Sequence, residues 1–108
     1  MEIQHKQLAQ GSWKKLSLVE QMANIGSEVE RAIKWKNKNN VEYKQLAFDR
    51  ALELLDLTLV DDKNKKRLKE ITRLREALAD YFVFKNEYHS TDKAWHNYFH
   101  AFNSAARI

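Results

Sequence analysis

A chain of 108 residues with no proline and only two glycines lacks the punctuation that a many-turned β protein needs. Tight strand reversals use residues that tolerate unusual backbone angles, and this sequence supplies almost none of them. The chain is therefore predicted to spend most of its length in helices, and apolar residues at helical spacing mark where those helices run.

"SLVE" at 17–20 is a capping box, in which the Ser17 hydroxyl and the Glu20 carboxylate each satisfy an amide at a helix start. From there Leu18, Met22, Ile25, Val29, Ala32 and Ile33 share one face, until "KNKNN" at 36–40 ends the helix. Asn40 is expected to cap a second helix, about Val41 to Val60, whose apolar arc is unusually wide and includes Leu46, Phe48, Ala51, Leu54, Leu55 and Leu57. Asp61 or Asp62 is expected to cap a third helix with a stripe of Leu68, Ile71, Leu74, Leu78, Tyr81 and Phe82, ending around Phe84. Ser90 or Thr91 opens a fourth, with Trp95, Tyr98, Phe99, Phe102, Ala105 and Ala106 facing the core. Short connections favour antiparallel neighbours, so the expected architecture is a single-domain, up-down-up-down four-helix bundle over residues 17–108. Residues 1–16 show no clean period and are expected to be a flexible or irregular leader.

Composition narrows the function classes. With 44% hydrophobic and 31% charged residues, the chain has enough apolar surface to fold unaided. The absence of cysteine excludes disulfides, thiolate zinc sites and a cysteine nucleophile, and together with the lack of a signal sequence or membrane span it makes the cytoplasm the expected location. A formal charge of +4 permits a nucleic-acid partner without specifying one. Lys63, Lys65, Lys66, Arg67, Lys69, Arg73 and Arg75 gather around the start of helix three, and Lys34, Lys36 and Lys38 around the end of helix one. In an antiparallel bundle these clusters fall at opposite poles, which disfavours one continuous nucleic-acid groove.

The candidate binding residues lie in "NIGSEVERAIKW" at 24–35. Asn24, Glu28, Arg31 and Trp35 fall within about 60° of one another on a helical wheel, beside the apolar stripe. Gly26 sacrifices about 1 kcal/mol of helix propensity relative to alanine, a cost that close approach of a second helix would explain. Arg50 sits inside the apolar arc of helix two, where a charge needs a partner. Glu28 is the first candidate and Asp80 the second, while Arg75 raises the same question on helix three. The set reads either as salt bridges fixing helix order or as a polar pocket.

Other chemistry is poorly supported. Asp92, His96 and His100 have the i, i+4, i+8 spacing of metal ligands on a helix face, but that face also carries Asn103 and Arg107 and points away from the aromatic stripe, as a solvated surface does. A di-iron bundle needs a Glu-x-x-His on each of two helices, and the sequence has a single one, Glu2 to His5; a glycine-rich phosphate loop does not occur. Ser27 and Ser104 read as small helix residues rather than nucleophiles. No catalytic residue, metal ligand or cofactor is assigned.

Together, "NIGSEVERAIKW", "ALELLDLTL", "RLKEITRLREALADYF" and "YFHAFNSAARI" resemble a family of short, uncharacterised prokaryotic proteins over nearly all of residues 13–108. The resemblance implies one compact helical module and no particular activity. At the level of architecture the chain is also similar to HEPN bundles, whose RNA-cleaving members carry an arginine four to six residues before a histidine. No arginine stands in that relation to His5, His89, His96 or His100. The leading expectation is a non-enzymatic interaction or regulatory module, a homodimer or the partner of another protein. The alternative is an RNA-binding or RNA-cleaving component of a toxin–antitoxin-like system.

Overall fold

The computed structural model describes residues 11–106 and contains four α-helices and no strand among them. They are α1 (Leu18–Asn37), α2 (Val41–Leu59), α3 (Leu68–Phe82) and α4 (Asp92–Ala106), with 3-10 helices at Trp13–Lys15 and Asp62–Arg67. The helices pack as a four-helix bundle. α1 lies centrally against α2 and α4, and α3 packs on α2.

Local chemistry sets the boundaries. The Ser17 amide donates to Glu20 Oε1 at 3.0 Å and the Glu20 amide to Ser17 Oγ at 3.1 Å, completing the capping box. Asn40 Oδ1 accepts from the Tyr43 amide at 3.0 Å, and the preceding Asn39 takes the left-handed angle (φ 59°) that the reversal after α1 requires. Of the expected caps for the third helix, Asp61 is used, and it opens the 3-10 helix that leads into α3. Thr91 Oγ1 caps α4 through the Ala94 amide at 3.1 Å. α3 ends two residues earlier than expected because the Asp80 carboxylate captures the loop amides of Glu87 and Tyr88 at 2.8 and 3.0 Å.

Two polar assemblies at opposite poles establish the up-down-up-down order. At one pole the ends of α1 and α3 meet the start of α4: Lys36 Nζ reaches Asp92 Oδ1 at 2.9 Å and Tyr81 Oη at 2.8 Å, Tyr81 donates to Asp92, and Asn37 Nδ2 donates to Asp92 Oδ2 at 2.9 Å. At the other pole the start of α1 meets the end of α2 and the approach to α3. There Gln21 Nε2 donates to Asp61 Oδ2 at 2.9 Å and to the Trp13 carbonyl at 3.0 Å, and Gln21 Oε1 accepts from Asn64 Nδ2 at 2.9 Å.

That second assembly corrects the expected irregular leader. Its residues 1–10 lie outside the described residues, but Trp13 is 1% exposed and its Nε1 donates to Thr58 Oγ1 at 3.0 Å. A large apolar ring with one polar atom is buried readily when that atom finds a partner, so the 3-10 turn at Trp13 is built into the core rather than trailing from it.

The core is the expected stripes brought together: Ile25, Val29 and Ala32 of α1, Phe48, Ala51 and Leu55 of α2, Leu78 of α3, and Trp95 and Phe99 of α4. α1 and α4 touch at Gly26, where an added Cβ would lie 2.8–2.9 Å from Phe99 side-chain atoms, so the glycine serves the close approach predicted for it. Most of the wide arc of α2 is covered within the bundle, with Leu46 left 39% exposed. The α3 and α4 backbones scarcely approach one another, and Tyr98 and Phe102 of α4 remain half-buried.

Candidate functional site

Of the five candidate binding residues, the structure gathers three. Arg31 and Trp35 from α1 and Arg50 from α2 border a shallow concavity of about 200 Å³ with Tyr43, Leu46 and Ala47. The α1 residues come from the exposed flank of the helix, and Asn40 sets the reversal that brings the first turn of α2 beside them. Trp35 and Tyr43 meet edge to face with ring centroids 4.9 Å apart. The Lys34 and Lys38 ammonium groups lie 5.9 and 5.3 Å from the Trp35 ring centroid, within cation–π range. The face is thus an aromatic pair edged by cations, with the exposed Leu46 beside it.

Asn24 and Glu28 do not border this concavity. Asn24 is exposed and returns its amide to the Glu20 carbonyl at 2.8 Å within its own helix. Glu28 is 6% exposed, and its Oε1 accepts from Arg31 Nη1 at 2.7 Å. The expected partnership of Arg50 with Glu28 is therefore corrected: an arginine three residues on, already on the same helix face, takes the carboxylate first. The second candidate, Asp80, is occupied with the loop amides after α3. Among the described residues Arg50 forms no ion pair, although it is only partly exposed. Arg75 has a partner in Asp56 of α2, at 2.9 Å.

The Asp92, His96 and His100 row is divided among three neighbours. Asp92 belongs to the Lys36 and Tyr81 assembly, where burial raises its carboxyl pKa but hydrogen bonds from Tyr81, Lys36 and Asn37 outweigh that and lower it to about 2. His96 Nδ1 meets Glu30 Oε1 at 2.6 Å, and His100 Nε2 lies 3.4 Å from Ser104 Oγ. No group of three histidine or carboxylate residues that could hold a metal occurs among the described residues.

These histidines instead line a cleft of about 480 Å³ between α1 and α4, with Ser27, Glu30, Asn97 and Asn103. The cleft contains an acid, imidazoles and the Ser27 hydroxyl, and the Ser104 hydroxyl adjoins His100, but these groups do not form a relay. Glu30 orients His96, whereas the hydroxyl is beside His100, and Ser27 donates to the Ala23 carbonyl at 3.3 Å. A nucleophile activated by an oriented base needs all three groups in one chain of hydrogen bonds.

Sequence reasoning missed Tyr43 and Leu46 as members of the Trp35 face and Glu30 as the partner of His96. Tyr43 and Leu46 carried a signal, being apolar residues on the outer edge of an arc too wide for one neighbour. Glu30 carried none, since its partner lies 66 residues away. Comparison with protein-family models, curated proteins and solved structures gives no match for the chain.

Proposed function

We propose that this chain is a non-enzymatic interaction module whose partner, a second copy or another protein, docks on the α1–α2 face around Trp35. The observation that carries the reading is Arg50, a partly covered guanidinium without a carboxylate among the described residues, beside an accessible aromatic pair. Tryptophan, tyrosine and arginine are the residue types on which binding energy concentrates at protein interfaces. A partner carboxylate against Arg50 with an apolar group on Trp35 and Leu46 would satisfy both features of the face.

The basic residues support a protein partner over RNA. Lys36, Lys63, Arg67 and Arg75 are each matched by a carboxylate, and the two basic clusters belong to opposite poles. Phosphate binding draws on many free cations along one track.

Light scattering across micromolar concentrations, on wild type, Trp35→Ala and Arg50→Glu, tests the reading. A dimer lost in both variants assigns the face to self-association. A monomeric wild type directs the test to affinity capture, in which a specific protein is retained by wild type and released by both variants. If both variants keep the wild-type oligomer and every specific partner, the reading is wrong.

A further inference from the structure

α3 and α4 leave between them a groove of about 510 Å³. A smaller cavity of about 170 Å³ continues from it, with Arg67, Glu70, Leu74 and Tyr98 bordering both. The floor is apolar and aromatic: Leu74 and Trp95 are buried, while Tyr98 and Phe102 are half-covered. The rim is cationic. Lys66, Lys69 and Arg73 are exposed and have no carboxylate within ion-pair distance among the described residues, and only Arg67 is matched, by Glu70 at 3.3 Å.

We infer that this groove receives an amphipathic helix of a partner protein, its apolar face on Leu74, Tyr98 and Phe102 and its acidic flank against Lys66, Lys69 and Arg73. Charge decides the flank. Four rim cations face one carboxylate, so an acidic occupant gains attraction along its length, whereas a basic or neutral one leaves the imbalance uncorrected. The floor decides the conformation. It offers an occupant few hydrogen-bonding groups and no strand edge, so the backbone of whatever lies there must satisfy itself, as a helix does. The wall from Lys66 to Ala77 spans roughly 17 Å, about three helical turns.

Nucleic acid fits less well. Trp95 is 7% exposed and stacked on Phe99, with centroids 6.1 Å apart, so it has no open face on which a base could lie.

The inference rests on the reading of the chain as a protein-binding module but places binding on other residues. The variant Lys69→Glu/Arg73→Glu leaves Trp35 and Arg50 intact, so the two readings fail separately. The probe is a displayed library of random peptides of about sixteen residues, long enough for four turns, selected on the full chain. Winners should carry apolar residues at i, i+3, i+4 and i+7 with Asp or Glu along one flank, and their affinity should fall at least about ten-fold on the double charge reversal while Trp35→Ala leaves it unchanged. Both reversed residues are exposed, and a wild-type melting curve for the variant confirms that it folds. Selection of peptides without that pattern, or affinity indifferent to the reversal, overturns the inference. So does a single-stranded oligonucleotide whose binding the reversal abolishes, which would make the groove a nucleic-acid site. A concentration-dependent dimer abolished by the reversal would assign the groove to a second copy and overturn it equally.

Discussion

At the scale of single residues, Gln21 has the most demanding position in the protein. It is fully buried, and its amide donates to Asp61 and the Trp13 carbonyl while accepting from Asn64. Burial raises the Asp61 carboxyl pKa, but hydrogen bonds from Lys63 and Gln21 outweigh it and hold the group below its ordinary range. Gln21→Leu fits the volume yet strips donors and an acceptor from a water-excluded site, so it should cost about 2–3 kcal/mol. For a domain of this size that lowers the melting temperature by about 10–20 °C in a thermal scan. Asn24→Ala, three residues along, removes only a bond to the helix's own exposed backbone and should shift stability by no more than about 0.5 kcal/mol. The contrast separates a polar residue that holds the fold from one that does not, a distinction absent from their side-chain chemistry.

Among elements, the decisive contact is the meeting of α1 and α4 at Gly26. Alanine there would gain about 1 kcal/mol of helix propensity. Its methyl would also sit 2.8 Å from Phe99 Cβ, an atom too near the backbone to swing aside, and such overpacking costs about 1–3 kcal/mol. Gly26→Ala should therefore be destabilising on balance, by about 1 kcal/mol in urea denaturation, where an exposed helical glycine would have been stabilised. That glycine was legible in the sequence because it broke a local rule, and so were the capping box at Ser17 and the cap at Asn40, whose partners lie three residues away. The Trp13 to Thr58 bond was not, since 45 residues separate its ends and nothing periodic surrounds Trp13. The pairing expected between Arg50 and Glu28 failed for a related reason: reading helices as separate stripes hides the competition from Arg31 on the same helix. The Trp35 face was legible only in part, because Tyr43 and Leu46 join it through the turn between two helices.

The whole molecule is held at both poles, and the two fastenings respond differently to solvent. Asp92, Lys36 and Tyr81 join three helices at the partly exposed pole. The Asp92 pKa lies at about 2 in the folded chain against an ordinary 3.8, so its contribution is complete above the ordinary value and is lost as pH falls through about 2. Burial lowers the Lys36 pKa, but the hydrogen bonds that its ammonium donates to Tyr81 and Asp92 outweigh this and raise it, while burial and Asp92 raise the Tyr81 pKa. Both groups hold their protons more tightly when folded, so their contribution is present below about pH 10 and declines as pH rises further. Asp92→Asn should cost about 1–2 kcal/mol at neutral pH and flatten the acid limb of stability measured by denaturation between about pH 4 and pH 2. The opposite pole follows another logic, set by order along the chain. Every partner in the Trp13, Gln21, Thr58, Asp61 and Asn64 network precedes α3. A chain emerging from the ribosome therefore holds all the parts of that fastening before α3 and α4 have been made. Newly synthesised α1 and α2 can be stitched into a hairpin with its N-terminal turn tucked in, and the two later helices are then added to a template that already exists.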